Sequence, residues 1–573
     1  MSPSLDVHDR IAQAREMEGP PLVLPWSSFA DLFRSRTSDA ALGTRTFLTF
    51  YDDARHIRRT YTYTQFGAEV ERTTSVLRDR LALHCGDRIA TVLFNHDRTV
   101  VLYFAAWVLG IAVVPINMEE SAEKKRYILE HSEVSAVFCW HDCLDEIVSL
   151  ASTLPFIRDV IAIEDEGLRP DEGRGARGQG QKSIPASRRL PHASRLRDEA
   201  LIVYTSGTTG SPKGVILTAE NLLIDAEAIA AWHLIGEDDP WMCVLPIHHV
   251  NGCVVTLVTP FYSKGRIVLN RKFQAATFWR RIHDEQVRIV SVVPTLLEFL
   301  LEANEDLVPY KLDRFGGFIC GAGPLLKETA ARFEDRFGFP IRHGYGLSET
   351  TCYACFLPTD LSADQRHHWL TAYDFPSIGV PLPHNEMAIL DENGKRLPEM
   401  ARGEICIRGR TVCAGYFKRE DSNDAAFNWG WFRSGDEGFY VSGDRGRPFF
   451  FISGRLKELI IRGGVNISPL EIDDLLKGHP AVKFAMAVPF EHRYYGEEIA
   501  AYVVPRDNES SLTTAEMLDF CRSRLPFSKR PKVILFGQDI PYTSTGKPKR
   551  LELKARLAPI LAAYREHQFK EGI

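Results

Sequence analysis

The chain has 573 residues, 45% hydrophobic and 25% charged, which gives it apolar material for about three to five compact units or fewer large ones. Its 69 basic and 75 acidic residues leave a net charge of −6, so nothing favours nucleic acid or an anionic membrane as a partner. Eleven cysteines in 573 residues are too sparse for a disulfide scaffold, and the single C-x-x-C pair, Cys352 and Cys355, has no second such pair to complete a structural zinc site, so we expect reduced thiols in a cytoplasmic protein.

The start of the chain, MSPSLDVHDR, lacks the apolar run that a secretory signal needs. A long, uncharged and strongly apolar stretch covers residues 100–116, which is short for a membrane span of about 20 residues and is interrupted by Gly110 and Pro115. We therefore expect a buried helix followed by a buried strand at this place.

From residue 85 onwards, short apolar runs alternate with longer helical patterns. Strands are predicted at Asp87–Phe94, Ile111–Ile116, Ser135–Cys139 and Val160–Ile163, and helices at Thr99–Gly110, Ser121–Ser132 and Cys143–Ala151. This alternation predicts an α/β fold in which helices cover both faces of a parallel sheet. Ligands of such sheets bind where the carboxyl ends of the strands meet.

Two later regions depart from this pattern. The stretch Glu164–Arg197 is rich in glycine and charge and nearly free of large apolar residues, which predicts a mobile exposed loop; an Arg-rich partner site is the alternative. After residue 454, strands and helices alternate again on a smaller scale, which predicts a small α+β unit behind a flexible junction. Its predicted elements are Pro469–Leu476, Phe484–Val488, Ile499–Val504, Thr514–Arg524 and Leu551–Arg565.

The strongest local signal is the segment Tyr204–Gly214, YTSGTTGSPKG. A strand over Leu201–Tyr204 leads into a loop of glycines and small hydroxyl residues that contains Lys213. Glycines let backbone N–H groups approach an anion, hydroxyls add donors, and the lysine adds positive charge. The segment lacks the G-K-[ST] ending of a Walker A loop, so we predict a phosphate site of another type, with a flexible surface turn as the alternative.

This segment resembles the phosphate-binding loop of the adenylate-forming superfamily, which includes acyl- and aryl-CoA synthetases, adenylation domains of peptide synthetases, and luciferases. Further segments are similar to the family's other motifs and follow in the same order. They are Leu245–Gly252, Gly321–Leu325, Gly344–Thr350, Gly403–Gly409, Gly415–Tyr416, Trp431–Asp436, Gly454–Glu458, Pro469–Ile472 and Pro541–Lys547. The resemblance implies a large adenylation domain of helix-covered sheets over residues 1–456 and a small mobile α+β domain over residues 457–573.

The resemblance also implies a reaction in two halves. A carboxylic acid reacts with ATP and Mg²⁺ to give an acyl-adenylate and pyrophosphate, and a thiol then displaces AMP. Coenzyme A is the simplest acceptor. The alternatives are delivery to a carrier protein, an amine or another acceptor, and, from another class, an inactive nucleotide-binding homologue.

By resemblance, the catalytic residues are Lys547, Glu349 and His249. Glu349 would bind Mg²⁺, and Lys547 would bridge the carboxylate of the acid and the α-phosphate. Ser348, where the family more often has threonine, would donate to the α-phosphate. The nucleotide-binding set implied by the family comprises Thr205, Ser206, Gly207, Thr208, Thr209, Lys213, Gly321, Ala322, Gly323, Tyr345, Ser348, Asp436 and Arg455.

The same comparison gives an acid pocket, a hinge and a thiol tunnel. His249, Val250, Cys253, Cys320 and Tyr353 would line the pocket, and Cys352 lies near it. Tyr353 stands where smaller residues are frequent, which favours a short, branched or aromatic acid. Lys457 would be the hinge, and Gly463 and Gly464 would let a pantetheine arm pass. Each of these residues has an ordinary structural interpretation when taken alone; only the joint pattern favours catalysis.

Overall fold

The computed structural model describes residues 6–17, 22–165, 167–168, 194–205, 211–506, 512–543 and 547–569. The described chain folds into three sheets with helices packed around them. The α-helices are Val7–Ala14, Phe29–Thr37, Ala40–Gly43, Tyr63–Ser75, Asp97–Leu109, Ala122–Ser132, Leu144–Ala151, Ala219–Trp232, Thr259–Tyr262, Ala275–Asp284, Pro294–Ala303, Lys327–Phe337, Ala363–Thr371, Glu420–Ala426, Pro469–Lys477, Thr514–Arg522 and Arg550–Leu561. None of the described helices has the length and apolar character that a bilayer-spanning segment requires.

The first sheet contains the predicted strand–helix alternation. Its seven strands lie in the order Gly167–Leu168, Asp159–Glu164, Ala136–Trp140, Arg88–Val92, Ala112–Ile116, Glu199–Thr205 and Lys213–Thr218. The five inner strands pair in parallel, as the sequence predicts, and the two edge strands are antiparallel. Helix Asp97–Leu109 is buried almost throughout, which accounts for the long uncharged stretch without a membrane span.

The second sheet is larger and mixed. Its fourteen strands run in the order Asn385–Leu390, Gly403–Gly409, Trp431–Ser442, Pro448–Arg455, Ser377–Pro381, Cys355–Phe356, Ile341–Tyr345, Phe318–Cys320, Ile289–Val292, Pro240–Cys243, Arg266–Asn270, Thr46–Asp52 and Ile57–Thr62, with Phe427–Asn428 beside Trp431–Ser442. The strands from Ile341–Tyr345 to Thr46–Asp52 are parallel neighbours, so their carboxyl ends share one edge. We call everything before residue 460 the N-terminal unit.

The third sheet forms the C-terminal unit, residues 460–569. Strands Val465–Ile467, Ile460–Arg462, Gly496–Pro505 and Val482–His492 lie in this order, and Val533–Phe536 pairs in parallel with Gly496–Pro505. Apolar side chains are buried in two separate clusters, one with Ile472 and Met517 and one with Val488 and Leu553. The small α+β unit with its own core, predicted from the change of pattern after residue 454, is confirmed.

Most of the predicted loop over residues 164–197 lies outside the described residues. At one described end, Gly167 and Leu168 pair with Glu164 and Ile163 as a short antiparallel strand. At the other end, Leu196 packs against the main core of the N-terminal unit. The described ends of this segment are therefore anchored to the fold.

Candidate active site

Tyr345, Asp436 and Arg455 form one hydrogen-bonded group at the edge of the large sheet. Tyr345 is the last residue of its strand, and Asp436 and Arg455 face each other on two neighbouring antiparallel strands. The Tyr345 hydroxyl donates to Asp436 Oδ2 over 2.6 Å, and Arg455 Nε lies 2.8 Å from Asp436 Oδ1. The Asp436 charge raises the pKa of Arg455, so this ion pair is retained throughout the ordinary pH range.

Glu349 lies in a short 3₁₀ turn, Ser348–Thr350, that follows the strand of Tyr345. Its Oε1 accepts a hydrogen bond of 2.9 Å from the Tyr416 hydroxyl. The Lys213 ammonium lies 4.9 Å from the centre of the Tyr416 ring. Burial lowers the pKa of Lys213, and the Glu349 carboxylate opposes this effect. The structure thus brings Ser348, Glu349 and Lys213 to one place, as expected from the motifs.

The predicted phosphate loop joins two antiparallel strands of the seven-stranded sheet. Thr205 ends the first strand, Lys213 begins the second, and the two residues are directly paired. The predictions for Ser206, Gly207, Thr208 and Thr209 lie outside the described residues. The structure shows the two ends of the loop, Thr205 and Lys213, and Lys213 lies near Glu349.

Lys547 reaches this group from the C-terminal unit. Its ammonium is close enough to Arg455, Asp436 and Glu349 for each of their charges to shift its pKa. Burial among the surrounding protein atoms lowers the pKa of Lys547 to about 8, Arg455 acts in the same direction, and the two carboxylates oppose it. Lys547 lines the cleft and is nevertheless exposed to water over part of its surface. The two units therefore contribute charged groups to one cavity.

His248 and His249 lie beside this cavity, with ring centres 4.5 Å apart. Burial lowers the pKa of His248 to about 4, and burial, together with His248 and Lys547, lowers the pKa of His249 well below its usual range. Both rings are therefore neutral at pH 7. Their Nε2 atoms are buried and have no hydrogen-bond partner among the described residues, so both are available to a polar group of a ligand.

Four of the predicted pocket residues converge behind the histidines. Cys253 lies in a π-helical turn, Asn251–Val258, a form that is common at functional sites. Tyr353 is fully buried, and its hydroxyl accepts a hydrogen bond of 3.0 Å from Asn251 Nδ2. A Cβ atom at Gly321 would come within 2.7 Å of the Tyr353 ring, so only glycine fits this approach. Cys320 is buried next to Gly321, and Val250, which is half-buried, precedes Asn251.

Ala322 and Gly323 continue the turn after strand Phe318–Cys320. Ala322 has a φ of +64°, a left-handed conformation that is uncommon outside glycine and that recurs at ligand-binding turns. Gly323 lines a cleft of about 1020 Å³ between the two units, which Lys547 and His248 also line. The turn predicted to lie beside the nucleotide therefore borders the space that a nucleotide would need.

Gly463 and Gly464 do not lie at this site. They form the tip of a hairpin in the C-terminal unit, both with positive φ, and both are exposed. A Cβ atom at Gly464 would meet nothing within 4 Å. Lys457 is also exposed, but its charge is close enough to Lys213 to lower the pKa of that lysine. In this arrangement Lys547 faces the cavity, and the glycine pair faces solvent.

Two family models match the chain: AMP-binding enzyme over residues 37–417 and AMP-binding enzyme C-terminal domain over residues 471–547. The chain belongs to the AMP-binding enzyme family. This AMP-binding enzyme is 36% identical to a sulfoacetate–CoA ligase of Cupriavidus necator, over 82% of this chain and 88% of that protein. It is 31% identical to a 2-succinylbenzoate–CoA ligase of Bacillus licheniformis, over 86% of this chain and 94% of that protein.

Among solved structures, ATP-bound MatB from Rhodopseudomonas palustris superposes with a TM-score of 0.78 at 26% identity, covering 93% of this chain and 99% of that one. The predicted α/β adenylation fold with a small C-terminal unit is confirmed, and so is the predicted enzyme class, an AMP-forming acid–thiol ligase that uses ATP.

Several residues of the site were not predicted from the sequence. Tyr416 was part of a recognised motif, but nothing in its spacing indicates that its hydroxyl binds Glu349. Asn251 and Ser291 hold Tyr353 through a chain of two hydrogen bonds, and Ser291 comes from a strand that no motif marks. Asp225, fully buried, accepts a long hydrogen bond of 3.5 Å from the Tyr353 backbone N–H, and burial raises its pKa well above the usual range.

Proposed function

We propose that this enzyme activates a short carboxylic acid as its acyl-adenylate and transfers the acyl group to coenzyme A. The observation that carries the proposal is the position of Lys547, which comes from the C-terminal unit and lies within the electrostatic reach of Glu349, Asp436 and Arg455 of the N-terminal unit. Bringing a carboxylate and a triphosphate together needs such convergent charge, because both partners are anions.

In the first half-reaction, a carboxylate oxygen of the acid forms a bond to the α-phosphorus of ATP, and the bond from that phosphorus to the bridging oxygen breaks as pyrophosphate leaves. Lys547 stabilises the negative charge that gathers between the carboxylate and the α-phosphate. Ser348 donates to the α-phosphate. Lys213 and the loop that begins at Thr205 hold the β- and γ-phosphates.

The same set of residues positions the adenosine. Tyr345 offers its ring to adenine, and the turn Gly321–Gly323 lies alongside. The Asp436 carboxylate accepts hydrogen bonds from the ribose hydroxyls, with Arg455 beside it. Among the described residues, Tyr345 donates to Asp436 Oδ2 and Arg455 to Oδ1, and each oxygen has a second lone pair that can accept a hydrogen bond from a ribose hydroxyl.

Glu349 is suited to be a Mg²⁺ ligand. Mg²⁺ is commonly bound by one or two carboxylates together with substrate phosphates and water. Glu349 Oε1 is oriented by Tyr416, and Oε2 accepts no hydrogen bond from the described residues, so it can bind a cation beside the lysine that would hold the phosphates. When bound there, the cation would neutralise part of the phosphate charge.

The acid pocket favours a short or compact acid. Tyr353 fills the space behind Gly321 and is fixed by Asn251, so a long chain has no straight path past it. The buried Nε2 atoms of His248 and His249 favour an acid with a second polar group, because each can form a hydrogen bond with such a group. Sulfoacetate and 2-succinylbenzoate, the acids named for two relatives, both carry one.

In the second half-reaction, the C-terminal unit turns about Lys457, withdraws Lys547 and brings Gly463 and Gly464 to the cavity. A thiol sulfur then attacks the acyl carbon and AMP leaves. The acceptor named for both relatives is CoA. A carrier protein or an amine remains the alternative acceptor, an inactive homologue is the second alternative, and the cytoplasmic location stays a prediction.

A panel of acids tests this proposal. Pyrophosphate release is measured with each acid, ATP and Mg²⁺, and the products formed with CoA, a carrier protein and an amine are identified by mass spectrometry. We expect release with short acids, highest for those with a second polar group, and an acyl-CoA product. Preference for a C16 acid would contradict the pocket assignment, and absence of release with every acid would contradict the function.

A further inference from the structure

A buried ion pair joins the two units at a distance from the charged cavity. Lys477 is the last residue of helix Pro469–Lys477 in the C-terminal unit and is only 5% exposed. Its ammonium donates to Glu298 Oε1 and, over 3.1 Å, to the Thr329 hydroxyl. Glu298 and Thr329 belong to two different helices of the N-terminal unit, Pro294–Ala303 and Lys327–Phe337.

The three side chains form a closed group. The Thr329 hydroxyl also donates to Glu298 Oε1, so the carboxylate oxygen receives both the lysine and the threonine. A second, looser pair lies nearby, with Lys327 Nζ 4.0 Å from Asp474 Oδ2 across the same boundary. Because Lys477 comes from one unit and Glu298 and Thr329 come from the other, this contact exists only while the units hold their present orientation.

The helix that carries Lys477 is linked by hydrogen bonds to the segment that follows Lys547. Asp473, one turn before Lys477, accepts a 2.6 Å hydrogen bond from Arg550 Nη2. Arg550 is buried and lies three residues after Lys547. It also lies 3.3 Å from Glu458 Oε2, next to the predicted hinge residue Lys457. Docking of this helix therefore determines where Lys547 is placed.

We propose that Lys477, with Glu298 and Thr329, is a latch that holds the C-terminal unit with Lys547 in the cavity, and that Lys477 is a positioning residue for adenylate formation. The proposal rests on the proposed two-step function. It assigns the latch to the first half-reaction alone, since the second half-reaction requires the C-terminal unit to leave this orientation.

The test compares Lys477→Met with Lys477→Arg and with the control Lys554→Met in the full-length enzyme. Lys554 pairs with Glu497 over 3.3 Å on the surface of the C-terminal unit itself, so its loss leaves the boundary intact. Acid-dependent exchange of labelled pyrophosphate into ATP reports the first half-reaction. Formation of acyl-CoA from supplied acyl-adenylate and CoA reports the second.

We expect Lys477→Met to lower pyrophosphate exchange at least tenfold while acyl-CoA formation from the adenylate stays within twofold or rises. Lys477→Arg should recover most of the exchange, because it keeps the charge. Lys554→Met should match the wild type in both assays. An equal fall in both half-reactions, or unchanged exchange, would overturn the latch.

Hydrogen–deuterium exchange gives a readout that does not depend on finding the acid. In Lys477→Met, amides of Pro294–Ala303 and Lys327–Phe337 should exchange faster than in the wild type, and in Lys554→Met they should not. Unchanged protection in Lys477→Met would contradict the latch. A wild type that protects these helices but exchanges no pyrophosphate with any acid would contradict the proposed function and leave the latch supported.

Discussion

Lys547 acts through the positive charge of its ammonium group. Its surroundings lower the pKa of this group, so the charge depends on pH above neutrality. Burial in the cleft and the nearby Arg455 lower its pKa to about 8 from an ordinary value near 10.4. The protonated form is the one that stabilises the carboxylate and the α-phosphate. Since the pKa is lowered, the active form is complete well below pH 8 and is lost as the pH rises through 8.

We therefore predict that kcat/KM for ATP, which reports the free enzyme, falls about tenfold per pH unit above pH 8. A pH profile of adenylate formation from pH 6 to 10 measures this. Lys547→Arg is the control, because a guanidinium stays protonated over that range, so its smaller kcat/KM should stay level between pH 8 and 10. A wild-type profile that is level to pH 10 would contradict the assignment.

The site residues that could be predicted from the sequence are those that lie within recognisable motifs. Glu349, Asp436, Arg455 and Lys547 each stand in a recognisable segment, and the fold brings these segments together. The partners that hold them were not predictable, because Tyr416 and Glu349 are 67 positions apart and Ser291 and Asn251 are 40 apart. Hydrogen bonds of this kind depend on how strands and loops pack, and a single sequence carries no periodic signal for them.

At the scale of elements, helices and strands with strong apolar patterns were predicted within a few residues. Helix Asp97–Leu109 was expected at Thr99–Gly110, and strand Ala112–Ile116 at Ile111–Ile116. The number of sheets and the long mixed sheet were not predicted, because strand order follows from long-range pairing. The latch was missed for the same reason, since Lys477 and Glu298 are 179 positions apart.

The helix that follows Lys547 is fixed by a buried charge. Arg550 is 6% exposed and binds Asp473 and the Ala487 carbonyl oxygen. Removing one member of a buried pair leaves the other charge without a partner, which costs about 3–5 kcal/mol. We therefore predict that Arg550→Met lowers the free energy of unfolding of the C-terminal unit by about that amount.

Chemical denaturation monitored on the C-terminal unit measures this loss. Arg556→Met is a suitable control, because Arg556 forms an exposed pair with Asp539 over 3.2 Å and should contribute about 1 kcal/mol or less. If the two substitutions lowered the free energy of unfolding equally, this would contradict the inference that Arg550 holds the segment after Lys547 in place.

At the scale of the whole molecule, the structure presents one of the two surfaces that the reaction needs. Lys547 faces the cavity, whereas Gly463 and Gly464 of the same unit are exposed to solvent. Exposed apolar residues lie at the glycine hairpin, among them Ile461, Val465 and Tyr495. This surface is consistent with a face that becomes covered when the C-terminal unit turns.

We predict that Gly464→Val leaves pyrophosphate exchange within threefold of the wild type and lowers acyl-CoA formation at least tenfold. Its φ of +82° disfavours a branched side chain, and the added methyl groups would narrow the thiol path. Gly446→Val is the matched control, since Gly446 has a φ of +70° and equally open space in a turn of the N-terminal unit. Equal loss of both half-reactions in Gly464→Val would contradict this path.

The central claim is that two separately folded units share one active site, to which the C-terminal unit lends Lys547 for adenylate formation. The most direct measurement is the rate of each half-reaction in Lys547→Ala, with an acid that the wild type accepts. We predict a fall of about 10²–10³-fold in adenylate formation, about 2.7–4 kcal/mol, while acyl-CoA formation from supplied acyl-adenylate stays within a few-fold. Adenylate formation at the wild-type rate in Lys547→Ala would contradict the account.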